Sequence, residues 1–174
     1  MTAGWRADLA GALAAAADNP TARYLQLATV TAGDEPANRT VVFRGFDAEG
    51  GLLIATDRRS GKVADIVHQP SVELCWWLAV TRQQFRLTGR ADLVADKAVI
   101  GRIWQDLARP VRQPFFGPAP GSPLGPAQPA VADRTVAEPP GSFAVLCVTV
   151  ERVDQLDLRP TPHSRLVHGR TGDG

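Results

Sequence analysis

Little in this chain supports disulfide, metal or membrane chemistry. It has two cysteines in 174 residues, Cys75 and Cys147. Both sit in apolar runs and read as buried reduced thiols. Three histidines and two cysteines, with no ligand spacing between them, provide no metal site. Long apolar runs are also missing. The opening MTAGWRADLAGALAAAADNP is interrupted by Arg6 and Asp8, so it is neither a secretory signal nor a membrane span, and the expected location is the cytoplasm. Charge of one sign is lacking too: 19 basic and 18 acidic residues leave +1, which argues against nucleic-acid binding by charge alone.

Catalytic signatures are equally scarce. No GxGxxG occurs, and Gly61-Lys62 lacks the upstream glycine of a P-loop and is followed by Val63. Gly121-Ser122-Pro123 breaks the GxSxG pattern. The acidic residues are scattered, and no pair among them forms an acid/base couple. No catalytic residue is therefore named, and any reaction is expected to be carried by a cofactor. Lysine is rare as well: Lys62 and Lys97 stand against seventeen arginines, and arginine's planar fork suits oxyanions.

What is present reads as one domain over 1–174. Residues 5–18 form a helix, with Trp5, Leu9 and Leu13 at fourfold spacing and Asn19-Pro20 as the stop. Strands follow at 23–31, 38–46 and 52–56, joined by short turns. A short amphipathic helix covers 61–68, and long strands cover 71–80 and 82–94. A second main helix covers 96–108, and a last strand covers 142–156. Most strands are sequential neighbours, which suits a small antiparallel barrel better than a parallel doubly wound sheet. Nine of the fourteen prolines fall in 110–140. Regular structure is not expected there, and Phe115 and Phe116 point to an arm that packs.

Four segments in this order resemble the pyridoxamine 5'-phosphate oxidase-like family of FMN-binding split barrels, in particular its short bacterial and plant branch. They are NRTVVFRGF (38–46), IATDRRSGK (54–62), RQQFRLTGR (82–90) and VDQLDLRPTPHSR (153–165). The resemblance implies a mainly β fold, a six-stranded antiparallel split barrel with flanking helices. It also implies a homodimer with FMN at the subunit interface and flavin-dependent redox chemistry on a small molecule. A flavin carrier or sensor, a true pyridoxamine phosphate oxidase, and a split barrel using deazaflavin or haem stand as alternatives.

The resemblance also assigns residues. The first segment borders the flavin through Arg39, Thr40, Val41, Val42 and Arg44; strand alternation puts Arg39 and Arg44 on opposite faces. Ala55 and Thr56 fall at the ring edge. Ser60 and Lys62 fall at the phosphate, with Ser60 as the N-cap of the helix it opens; Gly61 stands where the classic oxidase has an arginine, and Arg59, two positions earlier, is expected to restore that charge at the phosphate. Gln84 aligns at the flavin when Gly89 takes the family's glycine; a gap placed elsewhere substitutes Gln83, on the other face. Arg165 is the tail's flavin or substrate contact. The run His163-Ser164-Arg165-Leu166-Val167-His168-Gly169-Arg170 has one more residue between Arg165 and His168 than the classic oxidase pattern. His163 and His168 therefore read as surface residues. One of Trp76 and Trp77 belongs to the core, and the other to an interface or the flavin. The proline-rich arm is expected to cover the cleft or reach the partner subunit, anchored by Phe115 and Phe116.

Overall fold

A computed structural model describes residues 4–123 and 138–169. Helix α1 (Gly4–Ala15) leads into strands β1 (Tyr24–Val30), β2 (Pro36–Phe46) and β3 (Leu52–Asp57). Helix α2 (Gly61–His68) precedes β4 (Ser71–Leu78) and β5 (Gln83–Leu93). Helices α3 (Lys97–Asp106) and α4 (Arg109–Arg112) and a 3-10 turn (Gln113–Phe116) come next. Strands β6 (Phe143–Asp157) and β7 (Ser164–Gly169) complete the described chain.

The antiparallel sheet runs β3-β2-β1-β4-β5-β6-β7 and closes through an additional β3–β6 pairing. Six strands make the barrel, and β6 is long enough for two tasks. Its residues 143–148 pair with β3, and its residues 152–157 pair with β7. Near the middle of β6 the ladder with β5 shifts between Thr88 and Gly89. A Cβ on Gly89 would lie 2.1 Å from the Thr149 carbonyl oxygen, so only glycine lets the two backbones approach this closely.

Period-two alternation sends Leu25, Leu27, Val41, Phe43, Leu74, Trp76, Phe85 and Leu87 inward, where all are buried. Each buried large side chain contributes roughly 1.5–3 kcal/mol. Helix α1 adds Trp5, Leu9 and Ala12 to this core, and the Trp76 indole donates to the Ala22 carbonyl at 2.8 Å. A second cluster lies outside the barrel. Leu53, Phe143 and Val145 pack under Ile103, Trp104 and Leu107, with Phe115 and Phe116 against them.

Several details depart from the sequence reading. Helix α1 ends at Ala15, because i→i−3 bonds at Ala16 and Ala17 tighten the chain ahead of Pro20. The tail holds a seventh strand, β7. Its burial pattern is almost wholly exposed, so it leaves no apolar alternation to read. The arm is partly helical: Pro110 sits in the first turn of α4, where its missing N–H has no partner to lose. Residues 124–137 of the proline-rich stretch, and Arg170 of the tail, lie outside the described residues. Both cysteines are free but only half-buried. Burial, then hydrogen bonding to Asp47, pushes the Cys147 thiol up to about 12, so it is an inert thiol. Among the described residues no helix is long and apolar enough to cross a membrane, and no group of side chains forms a metal site.

Candidate functional site

Strands β2 and β3 present Thr40, Val42, Ala55 and Asp57 on their outer face, while Val41 and Thr56 come from the inner rows beside them. With Lys62 from α2 these residues line a cavity of about 430 Å³. The opposite wall is the arm, through Pro114, Phe115, Pro118 and Pro120. The arm is held there because Phe115 and Phe116 each stack edge-on to Trp104, at centroid distances of 5.9 and 6.0 Å. The size and the mostly apolar lining with a few polar groups are those of a small-molecule or cofactor pocket.

The polar end of the cavity is built by the turn between β3 and α2. The Lys62 ammonium donates to Thr56 Oγ1 and to Ser60 Oγ, both at 3.1 Å. Two of its three N–H groups are thereby engaged and the third is available to a ligand. Burial, and then the nearby Arg39 charge, lowers the Lys62 pKa from its usual value. Ser60 holds the N-cap position but does not cap with its side chain. Its hydroxyl donates to the Asp57 carbonyl at 2.7 Å, so no side chain occupies the first-turn N–H groups of α2, and the positive end of the helix stays open.

Arg39 sits beneath this end, on the inner face of β2. One nitrogen donates to Thr29 Oγ1 at 2.6 Å and to the carbonyls of Leu27 and Ala37; the other meets Asp65 at 3.1 Å. Asp65 also accepts from Thr29 Oγ1 at 2.7 Å. Arg39 therefore belongs to a buried network under the cavity and is not one of its lining residues. Arg59 points to the arm side. Its Nε and Nη2 fork onto the two oxygens of Asp57 at 3.0 and 2.7 Å, and Nη1 donates to the Gly117 carbonyl at 3.0 Å. Burial alone would raise the Asp57 carboxyl, but the Arg59 hydrogen bonds and charge outweigh it and hold it below the usual range.

Like Arg39, Arg59 and Ser60, three further assigned residues are not among the cavity's lining side chains. Arg44 falls in the bulge of β2, on the outward face beyond Val42, and its strand carries it away from the Lys62 end. Its Nε is buried with no partner among the described residues. Burial and then the Arg23 charge lower its pKa, with Tyr24 opposing them. Gln84 faces outward, half-buried, between Trp77 and Leu156 on the neighbouring strands. Gln83 is buried and directed at Asp157, 3.4 Å away. Arg165 is opposite Leu156 and forks onto Asp154 at 2.9 and 2.6 Å. Trp77, Gln84, Leu156 and Arg165 thus form one lateral row on the outer face, with Trp77 45% exposed and Trp76 fully buried. His163 is exposed, whereas His168 is half-buried with its Nε2 unpartnered among the described residues, so only the first is a plain surface residue.

The sequence reading missed Asp57, Asp65 and Thr29. Asp57 had a legible signal, since Asp-x-Arg with the Arg59 N–H returning to Asp57 Oδ1 at 2.8 Å is an Asx turn. Asp65 had none, because its partners are 26 and 36 residues away.

The cavity fits a ligand with an apolar body and an anionic end. Lys62, the Ser60 hydroxyl and the open N–H groups of α2 gather at one end, and Val42, Ala55, Phe115 and prolines line the rest. Comparison with known proteins agrees. Residues 2–95 match the FMN-binding domain of pyridoxamine 5'-phosphate oxidase. The chain is 32% identical over 183 residues to pyridoxine/pyridoxamine 5'-phosphate oxidase 2 of Arabidopsis thaliana, covering 98% of this chain and 91% of that one. It superposes with a TM-score of 0.92 on a pyridoxamine 5'-phosphate oxidase-related, FMN-binding protein of Nostoc punctiforme, at 37% identity and covering 98% and 93% of the two chains. PhzG of Burkholderia lata, at 18% identity, 97% and 87% coverage and a TM-score of 0.73, shares the fold. The chain belongs to the pyridoxamine 5'-phosphate oxidase family of FMN-binding split barrels, and FMN is the cofactor of that domain.

Proposed function

We propose that this protein is a homodimeric FMN-dependent oxidoreductase acting on a small anionic molecule. The observation that carries the reading is the cavity between β2, β3 and the arm, apolar along its length and cationic at the Lys62 end. When bound, FMN supplies hydride chemistry, which explains a site with no acid/base couple of its own. Lys62, Ser60 and the open end of α2 hold the phosphate, and Thr56 and Ser60 orient the ammonium. Val42, Ala55 and Phe115 exclude water from the apolar slot.

Gln84 and Arg165 belong to the same site only if a second copy brings its outer face to the cavity, so the FMN cleft lies at the subunit interface. Arg44, half-buried outside the cavity with its Nε unpartnered among the described residues and near the Arg23 charge, is a cation that suits an anionic substrate. The phosphorylated B6 vitamers named for the Arabidopsis relative are the first to try. The missing classic spacing around Arg165 argues for a broader panel as well.

Absorbance and mass of the freshly purified protein identify the cofactor, and a bound FMN with turnover of pyridoxamine phosphate or another anionic amine or alcohol is the expected result. A bound flavin without turnover across the panel would make the protein a flavin carrier. A bound deazaflavin or haem would overturn the reading.

A further inference from the structure

The geometry points to Arg59 as a positioning residue that straps the proline-rich arm over the cavity, not as a ligand to the phosphate. The inference rests on the FMN reading for one of its two readouts. The arm that walls the cavity has prolines at 114, 118 and 120, and proline has no N–H. Such a segment offers carbonyls to its surroundings, so it is best fixed by groups that only donate. Two donors reach it from one place. Arg59 Nη1 donates to the Gly117 carbonyl at 3.0 Å. The Ser142 hydroxyl donates to the Phe115 carbonyl, and the carbonyl of Ser142 in turn accepts from the Arg58 N–H at 2.7 Å. The turn after β3 thus holds the arm on both sides of Phe116.

Asp57 makes the strap rigid. It is 8% exposed, and the Arg59 fork engages both of its oxygens. This leaves the third guanidinium nitrogen aimed at Gly117 in a geometry that lysine's single ammonium cannot reproduce.

Arg59→Ala and Arg59→Lys are compared with wild type by amide hydrogen exchange over 115–122 in the flavin-free full chain, and by titration with FMN and with riboflavin. In Arg59→Ala the arm amides should exchange faster, and both flavins should weaken by the same factor, about tenfold. Arg59→Lys should restore neither. Weaker FMN binding with riboflavin unchanged would make Arg59 a phosphate ligand and overturn the strap, as would unchanged exchange in the arm. If the wild-type protein binds neither flavin, the cofactor reading fails by itself, and the exchange data still decide the strap.

Discussion

The two halves of the barrel's outer surface are finished differently. The face made by β3 and the first half of β6 is covered: Leu53, Phe143 and Val145 lie under α3 and the arm, each no more than 3% exposed. The face made by β1, β4, β5, the second half of β6 and β7 is bare. Tyr24, Trp77 and Val167 are 46%, 45% and 54% exposed there, among the ion pairs Arg86–Glu73 and Arg165–Asp154. The residues assigned by family resemblance divide along the same line. Thr40, Val42, Ala55 and Lys62 line the cavity at the edge of the covered half, and Gln84 and Arg165 share a row on the bare half. One chain covers one face with its own helix and arm; on the proposed reading a second copy covers the other and completes the cleft.

The largest expected effect comes from charging the bare face. Trp77→Asp leaves the core partner Trp76 untouched, and a central interface tryptophan is worth about 2–4 kcal/mol. The dimer constant should therefore weaken roughly 30- to 1,000-fold. Light scattering should show monomer, with flavin binding lost alongside. A variant that stays dimeric at micromolar concentration would place the interface elsewhere.

Lys62→Ala tests the covered half. A charge-assisted bond of about 1.5–3 kcal/mol predicts FMN affinity lower by roughly ten- to a hundredfold. Riboflavin, which lacks the phosphate, should bind both proteins alike. Unchanged FMN affinity would put the phosphate somewhere other than the end of α2.

How much of this was readable beforehand follows from the range of the interactions. Strand alternation and turn residues are local, so the six barrel strands and α2 were legible, as was the division of the tryptophan pair between two faces, though not that Trp76 is the inward one. Strand β7 was not, because its residues are exposed or only half-buried on both faces and leave no apolar period. Among the site residues, Thr40, Val42, Ala55, Thr56 and Lys62 meet at one cavity because two adjacent strands and the next turn carry them. Arg39 was placed at the cofactor by resemblance, and Arg59 as a substitute for the charge missing at Gly61, yet their partners in the fold are Asp65, Asp57 and the Gly117 carbonyl. Those pairings depend on which distant segments meet, which spacing in one sequence does not encode.

Gln84→Ala should have a smaller effect. An amide that donates and accepts beside a ring is worth about 0.5–1.5 kcal/mol, so FMN and riboflavin should both weaken by roughly two- to tenfold. Mixing the variants sharpens the comparison of the two halves. If Lys62 and Gln84 reach one flavin from different subunits, a heterodimer of Lys62→Ala and Gln84→Ala chains has one doubly altered site and one intact site. Half of its sites should then bind FMN with wild-type affinity. If both residues serve the cavity of their own chain, every site carries one lesion and no tight class appears.

The smallest expected effect is a pH dependence confined to the covered half. Lys62 holds a phosphate only as the ammonium, and burial followed by the Arg39 charge lowers its pKa below the usual lysine value of 10.5. Affinity for FMN is therefore fully present below the lowered pKa and falls as pH rises through it, before an ordinary lysine would titrate. The sign also predicts proton uptake on binding in that window, because a bound dianion favours the charged form. Titrations at rising alkaline pH should show FMN weakening earlier than an ordinary lysine would allow, with a steeper slope than in Lys62→Ala. Asp65→Asn sharpens the point. Asp65 favours the Lys62 ammonium and ties down Arg39, so its neutralisation should move the fall in FMN affinity to lower pH. A profile as flat in wild type as in Lys62→Ala would mean that this ammonium does not touch the phosphate.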